Sequence, residues 1–287
     1  MIKKRRRLSI MIKRLKFIFK LNTENKKNYL IAFVFILFIW YQMISFNEKY
    51  IGVFRTGYDF FIYVLSDYLS ITFVFTAGYI LYIFNLRKSV RLKKCLVLKY
   101  TSRLKYYKNF IIIIFISSFI FIGAIVAICG IFSAVKFPFK NQWSEFFKIY
   151  FNVSNDNNLL TMMKKILPST AILLNILFLF LYFNLIGMII FVVSTLFNQG
   201  FITTILAYSP SVLSQAVEIK GLVKYNSYAV HYNTAITWHS FTAVDEKPTI
   251  LFSFVYWIIL NLIFILIGIY IYKTKEIKTE EGEVNIL

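Results

Sequence analysis

The sequence predicts an all-α membrane protein with six transmembrane helices and an N-terminal amphipathic helix at the membrane interface. Three observations carry this. Of the 287 residues 59% are hydrophobic and only 16% charged, which excludes a soluble basic domain or a disordered chain. Uncharged apolar runs recur at lengths near the roughly 20 residues that a helix needs to cross a bilayer. The basic residues alternate with those runs: 23 of the 33 lysines and arginines fall at 1–27, 87–108 and 273–278, and 10 fall in the remaining gaps. Counted with acids, the first set of segments carries net +18 (23 basic, 5 acidic) and the second net +2 (10 basic, 8 acidic). The positive-inside rule then puts the first set, with both termini, in the cytoplasm.

Residues 1–27 form a basic cytoplasmic segment. Within it Leu8, Met11, Ile12, Leu15, Ile18 and Phe19 alternate at helical spacing with Lys13, Arg14, Lys16 and Lys20, the pattern of a helix lying in the inner interface. No short apolar stretch with a small-residue cleavage site follows, so the segment is expected to be retained. The transmembrane domain then occupies 28–272, with spans at about 28–47, 58–86, 109–135, 168–197, 200–217 and 249–272, and a cytoplasmic tail at 273–287. The fourth and fifth spans come from a 52-residue uncharged stretch, Ile166–Val217, divided at the turn-forming Asn198-Gln199-Gly200. The second span is read as one helix from about Gly57 to Asn85, with Asp59 and Asp67 solvated near its outer end.

In the third span Gly123, Ala127, Gly130 and Ala134 recur at i, i+4, i+7 and i+11, a nearly bare stripe that lets helices approach closely, within one bundle or across a dimer. The first outer loop, Lys136–Leu167, carries Trp143, Phe146, Phe147, Tyr150 and Phe151 at helical spacing, expected as a short helix at the outer interface. The second, Glu218–Pro248, is mostly polar and holds both histidines. Cys95 falls in a cytoplasmic loop and Cys129 inside the third span, so no disulfide between them is expected. The bias toward Lys, Ile, Asn, Phe and Tyr fits an AT-rich bacterial genome, and with it a bacterial cytoplasmic membrane.

Catalytic signatures are missing. The sequence has no HExxH, no GxxxxGK[ST] phosphate loop and no GxSxG elbow. His231 and His239 stand eight apart without a nearby Cys or acidic pair, which does not describe a metal site. Neither enzyme activity nor a cofactor is expected. The basic balance is assigned to anionic lipid at the inner surface rather than to nucleic acid. The loop Arg87–Lys108 stands apart: nine basic residues, among them Arg91, Lys93 and Lys94, no acid, and an apolar middle at Cys95–Leu98. A loop serving only topology has no use for that middle, whereas a short helix docking on a soluble partner has.

At this loop the stretch LKKCLVLKYTSRLKYYKNFIIIIF resembles the segment between the second and third spans of type-2 ABC exporter permeases from low-GC Gram-positive bacteria, at Lys99, Ser102, Arg103, Lys105 and Lys108. The ending IYIYKTKEI is similar to that family's close, at Lys273, Lys275 and Glu276. The resemblance implies six spans, an interfacial N-terminal helix, a coupling helix in the first cytoplasmic loop docking on a separate cytoplasmic ABC ATPase, and a second permease chain, identical or related. The expected function is export of a peptide or lipid-like compound; the rival is a non-transporting membrane protein such as a bacteriocin-immunity factor or complex anchor. Where the family has apolar re-entrant helices between spans five and six, this chain is polar. That departure leaves the outer gate, and hence the substrate class, open.

Overall fold

A computed structural model of the chain describes residues 26–91, 103–197, 199–221, 223–242 and 247–274. The interfacial helix expected at 8–21, residues 92–102 of the expected coupling loop and the tail from residue 275 lie outside them. The described residues are helical, with no strand and a single isolated bridge between Ser240 and Thr249. In order, the helices are α1 (Lys26–Glu48), α2 (Gly57–Ser66), α3 (Thr76–Arg91), α4 (Arg103–Lys136), α5 (Glu145–Tyr150), α6 (Asn157–Lys165), α7 (Pro168–Leu196), α8 (Gly200–Ile219), α9 (Val230–Thr234) and α10 (Ile250–Thr274).

Four of them, α1, α4, α7 and α10, are long and apolar enough to cross a membrane. A fifth crossing results if α2 and α3 are counted as one bent span. The single helix expected over Gly57–Asn85 is therefore corrected. It breaks after Ser66, resumes through a π-helical turn at Ser70–Phe75, and bends by 66°. Asp67 makes the break, its carboxylate accepting from the Ser70 backbone N–H at 2.8 Å and hydroxyl at 2.6 Å, an alternative to helix that Asp offers the backbone. Asp59 is likewise not solvated. At 1% exposure it closes a capping box at the start of α2, accepting from the Thr56 backbone N–H at 2.6 Å.

Helix α7 is the axis. It packs against α3, α4, α8, α10 and α2, and from Tyr182 to Ser194 every residue is buried. Apolar faces of α1, α4 and α10 remain exposed, as suits helices meeting lipid rather than water. At the end of the bundle where α1 stops and α7 starts, α5 and α6 form a cap. Phe146 and Phe147 are buried there, Phe146 against Phe46 of α1 at 4.4 Å. The short aromatic helix exists as expected, but its aromatic face packs onto the protein. Arg55 completes the cap, donating to the carbonyls of Phe46, Lys49 and Tyr50, the last at 2.7 Å; a cation at a helix C-terminus meets carbonyls that have no partner within the helix.

Candidate functional site

The segment between α8 and α10 does not stay in the cap. Beyond α8 the chain turns at Gly221, whose φ of +58° suits glycine, passes a 3-10 turn at Val223–Tyr228, and then descends into the bundle as α9 and a second 3-10 turn, Ile236–Trp238. From Val230 through Thr237 every residue is buried, as are His239 and Ser240. The ring of His239 stacks on Phe178 of α7, centroids 5.1 Å apart. Phe178 lies ten residues into α7, about 15 Å from its start at the helical rise per residue, so the segment packs alongside the first three turns of that helix. We call Ala229–Ser240 the plug.

Polar residues hold it from four sides. On α8, the Ser214 hydroxyl accepts the Val230 N–H at 3.0 Å and lies 2.9 Å from His231 Nδ1. On α7, Asn175 Oδ1 accepts the Ile236 N–H at 2.7 Å while its Nδ2 donates to Ser66 at 2.9 Å, tying the plug to the α2 break. On α10, Ser253 donates to Asn233 Oδ1 at 2.8 Å and Trp257 Nε1 to the Asn233 carbonyl at 2.8 Å. On α6, Asn158 Nδ2 donates to the His239 carbonyl at 2.6 Å and its Oδ1 accepts the Phe241 N–H. Buried backbone groups away from water need such partners, and here side chains of neighbouring helices supply them.

His231 sits where the plug meets α8. Nε2 faces the Glu218 carboxylate, which can only accept, so in a neutral ring Nε2 carries the proton and Nδ1 accepts from Ser214. Nε2 lies 3.3 Å from Glu218 Oε2, too oblique for a hydrogen bond but close enough for electrostatic contact. Tyr68, Tyr232 and Trp238 surround the ring with centroids at 4.6, 4.4 and 5.3 Å. Burial pushes His231 down to about 3, so its ring is neutral at ordinary pH; the same burial lowers His239 to about 4 against the pull of two acceptors, the Ala235 carbonyl at Nδ1 and the Ser253 oxygen at Nε2.

Deeper along α7, hydroxyls form a chain. Thr76 donates to the Ile71 carbonyl at 2.8 Å, so Tyr182 donates to Thr76 and Ser211 to Tyr182, both at 2.7 Å. Tyr208 donates to the Thr72 carbonyl at 2.9 Å. These bonds tie α7 and α8 to the π-helical turn.

No family model, curated protein or solved structure matches the chain. What the site can do must be read from its geometry. Among the described residues no group of three or more His, Cys, Asp or Glu side chains could hold a metal. The described part of the expected coupling loop is short: Arg91 closes α3, Arg103 opens α4, and Lys105 is exposed two residues later. Lys93, Lys94, Lys99 and Ser102 lie outside the described residues. The small-residue stripe faces away from the bundle: Gly123, Ala127 and Ala134 are exposed, nothing lies within 4 Å of a side chain added at Gly123, and Gly130 meets only Phe61 at 3.7 Å. Close helix approach within the chain occurs instead at Gly78, Gly187 and Gly268, none of them on that stripe.

The anchoring residues Asn158, Asn175, Ser214, Asn233 and Ser253 were not among the sequence-derived candidates. One signal was present. Residues 225–244 run for 20 positions without Asp, Glu, Lys or Arg, a span's length of uncharged chain hidden by its Asn, Thr, Ser and Tyr content.

Proposed function

We propose that this chain is the permease subunit of a bacterial ABC exporter, with six spans, both termini cytoplasmic and the plug as its outer gate. The observation that carries the reading is the plug itself: a segment between α8 and α10, buried within the bundle, whose Val230, Ala235 and Ile236 join the apolar core and whose polar groups are tied by hydrogen bonds to α6, α7, α8 and α10. An anchor or immunity protein has no use for such an arrangement, whereas a transporter must close its outer end against leakage between cycles. The plug also answers the polarity of Glu218–Pro248. Its polar groups face partners inside the bundle, so polarity is compatible with re-entry.

The span that brings the count to six in this reading is α8, fifth in chain order. Its composition includes Thr203, Ser211, Ser214 and Gln215, which keep it off a count by hydropathy. Thr203, Ala207, Ser211 and Ser214 face the protein, while Phe201 and Ile219 are 77% and 83% exposed. That inside-out distribution suits a helix with lipid on its outer side. Pro210 interrupts the backbone ladder, and Ser209 donates to the carbonyl that Pro210 leaves free, that of Leu206, at 2.8 Å. Twenty residues at the helical rise reach about 30 Å, a bilayer's core.

Energy comes from a cytoplasmic ABC ATPase docked on the basic loop Arg87–Lys108, and a second permease chain, the same or related, completes the transporter. The substrate class is a peptide or lipid-like compound: the buried interior offers aromatic rings and hydroxyls, and the buried Arg55 and Asp59 belong to the cap. The test is co-purification from native membranes of wild type beside an Arg103→Glu/Lys105→Glu chain. Reversed charges facing an acidic rim weaken and slow docking, so recovery of the ATPase should fall at least tenfold while membrane insertion is unchanged. Equal recovery with both chains, or none with either, would leave a membrane protein without this partner.

A further inference from the structure

We propose that acid on the outer side releases the plug, with His231 as the group that takes up the proton. The proposal rests on the reading of the plug as an outer gate for its consequence, and on geometry for its substance. In the seated plug the His231 ring is fully enclosed, and its Nδ1 is satisfied only as an acceptor of the Ser214 proton. A proton added at Nδ1 ends that bond as formed, because Ser214 must then receive both the Val230 N–H and the new imidazolium N–H and find another acceptor for its own hydrogen.

The groups facing the ring from each packed element decide whether the charge can stay. From α8 comes Glu218, 41% exposed and therefore screened by solvent; from the α2 break comes Tyr68; from the plug itself come Tyr232 and Trp238. One screened carboxylate does not replace the hydration that a buried imidazolium loses. The same carboxylate gives protons a way in, since it joins the enclosed ring to solvent. His239 is enclosed without such a connection, and both its nitrogens face acceptors: Nδ1 the Ala235 carbonyl at 3.0 Å and Nε2, at 2.9 Å, the Ser253 oxygen whose hydrogen goes to Asn233, so a second proton there completes bonds rather than breaking one.

The sign follows from linkage. A seated ring at about 3, against about 6.5 for a free imidazole, means that the released form binds more protons. The seated form is thus most stable above about pH 6.5 and is lost as pH falls from there toward 3.

Hydrogen–deuterium exchange of the full chain in lipid nanodiscs reads this directly, with rates divided by the intrinsic rate at each pH to give opening constants for amides 230–239. From pH 7.5 to 5.5 His231 should raise the wild-type opening constant about tenfold. His231→Asn, whose amide oxygen can still accept from Ser214, should lose that share, and His239→Asn should retain it. A wild-type opening constant that stays flat or falls with acid overturns the proposal, as does an undiminished response in His231→Asn. If His231→Asn does not fold, loss of the tenfold share in His239→Asn serves the same end. Amides already unprotected at pH 7.5 would instead defeat the reading of this segment as a plug. No ATPase is needed, so the outcome is separable from the co-purification result.

Discussion

Ser214 joins the backbone of Val230 to the ring of His231 through a single hydroxyl. Replacing it with alanine leaves a buried N–H without its acceptor and the ring nitrogen without its donor, at a cost of about 1–3 kcal/mol. Ser214→Ala should therefore raise the opening constant of 230–239 at least fivefold at neutral pH, measured by the same exchange experiment, while amides in the middle of α7 stay protected. Asn175 is the more demanding case, because it bridges two elements: Ile236 in the plug and Ser66 at the break. Asn175→Leu removes both bonds and strands the Ile236 N–H, so its loss of protection should extend from the plug into α2. Protection lost in the plug alone would mean that the Ser66 contact does not couple the two.

Glycines show at the scale of elements why a sequence pattern and a packed interface need not coincide. The stripe Gly123–Ala134 has ideal spacing, yet it looks outward; Gly187, with no small partner at i+4, is where α7 comes against α4 and α3. A Cβ at Gly187 would stand 2.5 Å from Ile114 and 3.0 Å from the Tyr79 hydroxyl. Gly187→Ala should then cost about 1–3 kcal/mol by overpacking, lowering the melting temperature of the purified protein, whereas Gly123→Ala should leave it unchanged in the monomer. Periodicity reveals which residues share a face, but which face meets a neighbour depends on the other helices. The same limit explains the second span. Its apolar run was legible, but the break was not, because Asp67 and Ser70 act through a four-residue hydrogen-bonded turn that a hydropathy pattern does not register. The long helices α1, α4, α7 and α10 were legible because lipid imposes length and apolarity on them directly. The plug was not, since each of its polar residues reads as loop until the partner that satisfies it is known.

For the whole molecule, the charge division along the chain and the arrangement of helices make a joint statement. In the proposed orientation Arg91 and Arg103 lie at the cytoplasmic end and the α5–α6 cap at the outer end. Single cysteines introduced into a Cys95→Ser/Cys129→Ser chain test it in intact cells. A cysteine at Lys148, exposed on α5, should react with an impermeant thiol reagent, and one at Ser102 should react only after permeabilisation. The reverse pattern, or labelling of both, would invalidate the topology and with it the placing of the gate.

Helix α8 has a bearing on biogenesis. Taken alone in lipid, its hydroxyls at Ser211 and Ser214 would lack the partners that α3, α7 and the plug provide, and Pro210 would weaken it further. It cannot be a self-sufficient insertion unit. As the span proposed above, α8 would be delivered by the translocon beside an already inserted α7, where the hydroxyl of Ser211 finds Tyr182. Nascent chains halted just beyond Gly221 should accordingly leave α8 accessible from the aqueous side, and its commitment to the bilayer should await synthesis of the residues that follow.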